Sequence, residues 1–167
     1  MLGLAAAPCI QRGTQKGNNM DNKTLVRKLL DDVFNKRDAS NLSKYCAANC
    51  VSHDALATTV DIGGLRQVFE GYFASFSDIH VVIDSQIAEG DLVATRLTCT
   101  ATDTGGFMGR PPTRKKVQIS GIQFDRVRDG RIAETWVQMD YLSMMQQLGM
   151  VPRFELTKPG PAQHLHA

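Results

Sequence analysis

Long hydrophobic runs and clustered charges are both missing from this 167-residue sequence. No apolar stretch approaches the roughly 20 residues that a membrane-crossing helix needs. Basic residues number 19 against 17 acidic ones, and the longest basic cluster is Arg114-Lys115-Lys116. Such a balance lacks the basic surface by which proteins bind nucleic acids. We therefore expect neither a membrane nor a nucleic acid as a partner.

Cysteine is also scarce, with four residues that are widely spaced except for Cys46 and Cys50. Those two could share one face of a helix, but no second pair with zinc-ligand spacing follows them. The first nine residues lack the basic segment and the length of a signal peptide. We expect reduced cysteines, no metal ion and a cytoplasmic location.

What is present is an ordinary globular composition, with 43% hydrophobic and 22% charged residues. A chain of this length buries roughly 70% of its unfolded surface, which is enough for one real core. Residues 1–19 have no hydrophobic periodicity and predict a disordered tail, and the prolines of residues 152–167 predict a flexible one. The patterned region between them, residues 20–151, predicts one domain.

Apolar residues recur with helical spacing in the first half of that domain. The first stripe runs from Leu25 to Phe34, and a third, aromatic stripe runs from Leu65 to Phe76. A short second helix is predicted between them at residues 42–48. Because each long stripe leaves a polar opposite face, these helices are expected to cover an apolar layer.

After residue 79 the hydrophobic pattern changes to a period of two, which is typical of strands. Strands are predicted at 79–83, 92–102, 117–127 and 131–140, and a closing helix after Asp140. Turn residues such as Asp129-Gly130 predict hairpins, so successive strands are expected to be antiparallel. The order of elements predicts an α+β fold, in which helices cover one face of a curved antiparallel sheet and enclose a pocket.

The strand at 117–127 directs alternate side chains to the two faces of the sheet. Gln123 and Asp125 share a face with Val117 and Ile119. If that face points towards the helices, an amide and a carboxylate project into a mainly apolar pocket, as is typical of a small-ligand site. The alternative is that Asp125 forms a solvated ion pair with a nearby arginine such as Arg126.

Several motifs resemble one family in their order and spacing. They are T-D-T-G-G-F-M-G-R-P-P-T at 102–113, S-G-I-Q-F at 120–124, R-V-R-D-G-R-I-A-E-T-W at 126–136 and Q-Q-L-G at 146–149. The sequence resembles the SnoaL-like polyketide, or ester, cyclases over nearly all of residues 20–151. The resemblance implies the cone-shaped α+β barrel of the nuclear transport factor 2-like superfamily, with a ligand inside the cone and frequent homodimers. It also implies intramolecular aldol ring closure without a cofactor.

Three positions depart from the family pattern. The acid/base aspartate of the cyclases follows the residue that Trp136 matches, and this chain has Val137 there. Two family histidines are likewise matched by Asp103 and Asp125. Because burial raises the pKa of a carboxyl group, we expect the acid/base role to have moved to Asp125, with Gln123 holding a substrate oxygen.

Three other polar residues have alternative interpretations. Asp140 is a second candidate acid/base group, or else the N-cap of the closing helix. His53, in the segment V-S-H-D, falls where the family often has a pocket histidine or asparagine. It is either a proton carrier or a hydrogen-bonded residue at the cavity mouth. Asp103 precedes two glycines, where an aspartate is also typical of a turn.

Two functions are consistent with these features. The first is cofactor-independent acid/base chemistry, a cyclisation, isomerisation or related lyase reaction, on a hydrophobic oxygenated small molecule. Its substrate contacts are expected at Gln123, Asp103, Val137 and Phe107. The second is a non-catalytic binding or dimerisation module, for which the loss of the acid/base aspartate at Val137 is the motivation. A homodimer is expected in both cases.

Overall fold

The computed structural model describes residues 21–56, 58–59 and 61–153. The tail predicted at 1–19 lies outside these residues, as does the tail predicted at 152–167 apart from its first two positions. The described helices are α1 (Asn22–Leu29), α2 (Leu42–Tyr45), α3 (Ile62–Ser75) and α4 (Tyr141–Leu148). None of these helices is long and apolar enough to cross a membrane. The described strands are β1 (Cys46–Asp54), β2 (Thr58–Thr59), β3 (His80–Glu89), β4 (Leu92–Thr102), β5 (Lys116–Arg128) and β6 (Arg131–Met139).

Each long helix begins at an aspartate that caps it. Asp21 accepts a hydrogen bond from the Thr24 amide at 3.0 Å, and Asp61 accepts one from the Gly64 amide at 2.7 Å. Such caps satisfy amide groups that have no partner inside the helix. The first helix continues past Leu29 through a π-helical turn, so the helix predicted from Leu25 to Phe34 is confirmed.

The sheet has the strand order β2-β1-β6-β5-β4-β3. Hairpins join β3 to β4 and β5 to β6, and β4 and β5 are also antiparallel. The sheet is mixed rather than wholly antiparallel, because β1 runs parallel to β6. Among the described residues it is open, with β2 and β3 at its edges. The α+β fold predicted from the order of elements is confirmed.

The predicted second helix at 42–48 is wrong in its second half. The helix α2 ends at Tyr45, and Cys46 begins strand β1. Ala47 and Ala48 favour a helix locally, but pairing with β6, more than 80 residues later, takes precedence over that preference. Strand β1, which brings Ser52 and Asp54 into the sheet, is therefore absent from the sequence-based prediction.

The helices lie on one face of the sheet, and strand β5 shows which face. Its residues alternate strictly between exposed and buried from Lys116 to Asp125. Val117, Ile119, Gln123 and Asp125 are buried, whereas Ile122 and Phe124 are about half exposed on the opposite, convex face. The amide side chain of Asn35 bonds both backbone groups of Val81, at 2.7 and 3.1 Å, and so fastens the first helix to β3. The predicted orientation of Gln123 and Asp125 is confirmed.

Candidate active site

A cavity of about 140 Å³ lies between the sheet and the helices α1, α3 and α4. This is roughly ten times the volume that one water molecule needs, so the cavity can hold an organic ligand. Its walls are mainly apolar and include Leu30, Phe69, Val81, Ile119 and Met144. A few polar side chains interrupt this surface, which is the usual composition of a small-molecule site.

Asp125 is the most deeply buried carboxylate in this wall, with 1% of its surface exposed. The Gln123 side-chain amide donates a hydrogen bond of 2.7 Å to Asp125 Oδ2. Thr135 is paired with Asp125 across β5 and β6, and its side chain lies beside the carboxylate and favours the charged form. The sheet register therefore fixes both partners of Asp125.

Burial raises the pKa of Asp125 from its ordinary value of 3.8 to about 6. The Gln123 and Thr135 side chains favour the carboxylate and oppose this shift, but they do not outweigh desolvation. Among the described residues that line the cavity there is no Lys, Arg or His to stabilise the charge. Arg126 binds Asp91 and Glu134 instead, so the alternative of a solvated ion pair for Asp125 is wrong.

A second polar group in the cavity wall, the Asp54 cluster, consists of Asp54, Tyr72 and Tyr141. The Tyr141 hydroxyl donates to Asp54 Oδ2 at 2.7 Å, and the Tyr72 and Tyr141 hydroxyl oxygens are 3.3 Å apart. Burial raises the pKa of both tyrosines, so both phenols stay protonated. The cavity thus contains two carboxyl groups: Asp125, which Gln123 hydrogen-bonds, and Asp54, which Tyr141 hydrogen-bonds with Tyr72 next to it.

Comparison with known families identifies the chain. The family model for SnoaL-like polyketide cyclases matches residues 24–148, which include the helices, the sheet and the cavity. This chain belongs to the SnoaL-like polyketide cyclase family. The resemblance carried by the motifs at 102–113 and 126–136 is therefore confirmed. A comparison with curated proteins found no match.

Solved structures of other proteins share the fold of this chain. AclR from Streptomyces galilaeus, a candidate hydroxylase, is 28% identical, with a TM-score of 0.71 over 80% of this chain and 84% of that one. IdmH from Streptomyces antibioticus, a candidate polyketide cyclase, is 32% identical, with a TM-score of 0.68 over 78% of this chain and 99% of that one. A SnoaL-like protein from Jannaschia has a TM-score of 0.73 at 21% identity, covering 84% and 100% of the two chains.

Three residues predicted for the site of this SnoaL-like chain line the cavity together. They are Gln123, Asp125 and Val137. Val137 is paired with Gln123 across β6 and β5, so the position that holds the acid/base aspartate in the cyclases lies beside the Gln123–Asp125 pair. Because Val137 is apolar, Asp125 is the carboxyl group in this part of the cavity wall.

His53 does not line the cavity, contrary to expectation. It is paired with Trp136 across β1 and β6, and the two rings stack with centroids 5.5 Å apart. Its Nε2 lies 3.0 Å from Glu134 Oε1. Strand alternation places Glu134 and Trp136 on the convex face, and His53 follows them because its strand neighbours Ser52 and Asp54 take the cavity positions.

Asp103 and Phe107 do not line the cavity either, although substrate contacts were expected from both. Asp103 is 1% exposed, and its carboxylate accepts hydrogen bonds from the Gly106 amide at 3.0 Å and from the Thr113 amide at 2.7 Å. It therefore organises the loop after β4, as the turn interpretation predicts. The Phe107 ring packs behind Phe76, with centroids 5.5 Å apart, and Phe76 is the one that reaches the cavity.

Asp140 caps the helix α4. Its carboxylate accepts a hydrogen bond of 2.9 Å from the Ser143 amide. It lies outside the main cavity, so the N-cap interpretation describes its position and the catalytic one does not. Asp140 is therefore useful as a comparison residue for Asp125.

Sequence reasoning missed the Asp54 cluster. Asp54 follows His53 directly, but without β1 in the prediction its side chain could not be assigned to a face. Tyr72 belongs to the aromatic stripe that was interpreted as core, and Tyr141 is the first residue of the closing helix. The sequence does contain these three residues, two at the end or start of an element and one on the aromatic stripe. They indicate a site only once the fold shows that their elements meet at the cavity.

The two neighbouring cysteines, Cys46 and Cys50, are free thiols in β1 and are both buried. They do not share a helix face, because α2 ends before Cys46. Among the described residues no group of three His, Cys, Asp or Glu side chains is placed to hold a metal ion.

Proposed function

We propose that this SnoaL-like chain catalyses cofactor-independent proton transfer on a hydrophobic, oxygenated small molecule, leading to ring closure or isomerisation. The observation that carries the proposal is Asp125, a buried carboxyl group with a pKa of about 6 in an apolar cavity. Such a group can take a proton from an acidic carbon and return it near neutral pH. The family and the candidate cyclase IdmH support a polyketide-like substrate.

The chemistry requires little beyond this base. A carbon between two carbonyl groups is already acidic, and its carbanion places negative charge on oxygen. A side-chain amide has two N–H donors, and Gln123 uses one of them on Asp125. The other is left to bind the enolate oxygen beside the carbon that Asp125 deprotonates. The proton thus moves from carbon to Asp125 while Gln123 stabilises the charge that remains.

The pH dependence of carbon-acid exchange tests the proposal. In D2O, the protein is expected to accelerate loss of the methylene proton signal from aryl β-keto esters such as ethyl benzoylacetate. After subtraction of the buffer reaction, the rate constant should rise through an apparent pKa of about 6 and then level, because only the carboxylate form of Asp125 is a base. A rate that shows no inflection between pH 5 and 7 would argue against Asp125.

The second candidate function is ligand binding without turnover, and Val137 favours it because the family's usual proton carrier is absent. The same experiment separates the two functions. Aryl β-keto esters that stabilise the protein against heat but exchange no faster than in buffer would support binding alone. Exchange that requires the protein would exclude this candidate.

A further inference from the structure

The Asp54 cluster is assembled from three separate elements at the cavity wall. Asp54 lies at the end of β1, Tyr72 on α3 and Tyr141 at the start of α4. The Asp54 carboxylate also accepts a hydrogen bond of 2.8 Å from the Leu56 amide. This second bond fixes the carboxylate, so Tyr141 is held against a rigid acceptor.

The two hydroxyl contacts of the cluster are unequal. Hydrogen bonds between hydroxyl and carboxylate or hydroxyl oxygens are usually 2.5 to 3.0 Å long. The bond from Tyr141 to Asp54, at 2.7 Å, lies within this range, whereas the contact between Tyr72 and Tyr141, at 3.3 Å, lies beyond it. Tyr141 therefore commits its single hydrogen to Asp54, and Tyr72 keeps a hydrogen that can turn towards a better acceptor.

The register of the sheet places this cluster away from the proposed base. Asp54 is paired with Val137 on β6, and Val137 is paired with Gln123 on β5. Neighbouring strands are about 4.8 Å apart, so the backbones of Asp54 and Gln123 are separated by about 10 Å. A ligand in the cavity thus meets two polar groups with the apolar side chain of Val137 between them.

We propose that Tyr72 is a second ligand-binding residue, which donates its hydroxyl hydrogen to a carbonyl oxygen of the substrate, beside the Tyr141 hydroxyl that Asp54 fixes. The substrate class is then a hydrophobic molecule with two oxygen functions, one beside the acidic carbon at Asp125 and another remote from it at Tyr72. The placement of the acidic carbon at Asp125 and of the second oxygen at Tyr72 rests on the proposed function. The hydrogen bond from Tyr72 to a ligand carbonyl does not.

This arrangement suits an intramolecular aldol reaction. Asp125 takes the proton from the acidic carbon, and the carbanion forms a carbon–carbon bond to the second carbonyl as its π bond breaks. The negative charge moves to the second oxygen, where the Tyr72 hydroxyl donates a hydrogen bond. Water supplies a proton to this alkoxide and Asp125 returns its proton to water, so the substrate and product are isomers. The raised pKa of Tyr72 supports a role as hydrogen-bond donor that does not ionise.

A pair of matched probes tests the contact. The compounds 2-acetylnaphthalene and 2-isopropenylnaphthalene have the same shape, but only the ketone accepts a hydrogen bond. Binding of each is measured by fluorescence titration of the full chain. We expect Tyr72→Phe to lower the ratio of ketone affinity to alkene affinity about tenfold, with alkene affinity unchanged. Tyr141→Phe and Asp54→Asn, which loosen the donor without removing it, should lower the ratio less.

Two control variants make the outcome specific. Tyr45→Phe removes a phenol that bonds Asp32 outside the cavity, and it should leave the ratio unchanged. Asp140→Asn, which changes a capping carboxylate outside the main cavity, should also leave it unchanged. Proton exchange is measured separately on Asp125→Asn, so the two assays report on different residues. If the ratio in Tyr72→Phe equals that of the unmodified protein while the alkene still binds, the proposal is overturned. If the ratio falls but no β-keto ester exchanges, the proposed function fails and the Tyr72 contact stands.

Discussion

Replacing Asp125 with asparagine is expected to lower the rate of β-keto ester exchange about a hundredfold or more. The asparagine side chain has the same shape and can still accept the hydrogen bond that Gln123 donates. It cannot take a proton, so the variant removes the base and preserves the cavity. The measurement is the exchange rate constant in D2O at pH 7.5, where the Asp125 carboxylate is the main form.

The matched control for this substitution is Asp140→Asn. Asp140 caps α4 outside the cavity, and asparagine is also a good N-cap, so this variant should keep both its rate and its fold. A hundredfold loss in Asp125→Asn beside an unchanged rate in Asp140→Asn assigns the proton transfer to Asp125. Equal rates in both variants and in the unmodified protein would show that the base lies elsewhere.

The same Asp125→Asn substitution should make the protein more stable at high pH. Between the ordinary pKa of 3.8 and the folded value of about 6, the folded state binds more protons than the unfolded state. The stability that comes from this proton is fully present below pH 3.8 and is lost as the pH rises through 6. The difference between these two pKa values corresponds to about 3 kcal/mol in the free energy of unfolding. The asparagine variant does not lose this stability at high pH, because its side chain carries no charge.

The test is chemical unfolding of both proteins from pH 4 to pH 8. Exposed carboxyl groups such as Asp21 and Asp38, whose pKa values are lowered by hydrogen bonds, change stability in the opposite direction in both proteins. The informative quantity is therefore the difference in unfolding free energy between variant and unmodified protein. We expect this difference to be small at pH 4 and to grow to about 3 kcal/mol by pH 8. A difference that stays constant with pH would mean that burial does not disfavour the Asp125 carboxylate.

The parts of the fold that could be predicted from the sequence are those that depend on local pattern. Alternation along 117–127 placed Gln123 and Asp125 on one face with Val117 and Ile119 without any knowledge of the neighbouring strands, and that face is the buried one. Helical stripes located α1 and α3, and Asp140 could be interpreted as a cap from its position before Tyr141. In each of these cases the residues that determine the structure lie within about one turn or one strand.

The parts that could not be predicted depend on pairing between distant segments. Strand β1 looks helical at Ala47 and Ala48, and only its parallel pairing with β6 makes it a strand. Without this strand no face could be assigned to residues 52–54, so the expectation for His53 rested on the family resemblance alone, and it is Ser52 and Asp54 that line the cavity. The Asp54 cluster was hidden for the same reason, since its three residues come from elements that meet only in the folded chain.

We expect the cavity to keep the Asp125 carboxyl group protonated to an unusually high pH. The most direct test is a pH titration followed by NMR of side-chain carboxyl carbons in protein labelled with ¹³C-aspartate. Asp125→Asn identifies the resonance by its disappearance. For this carbon we expect an inflection near pH 6. An inflection at or below about pH 4, the range of exposed aspartates, would contradict it.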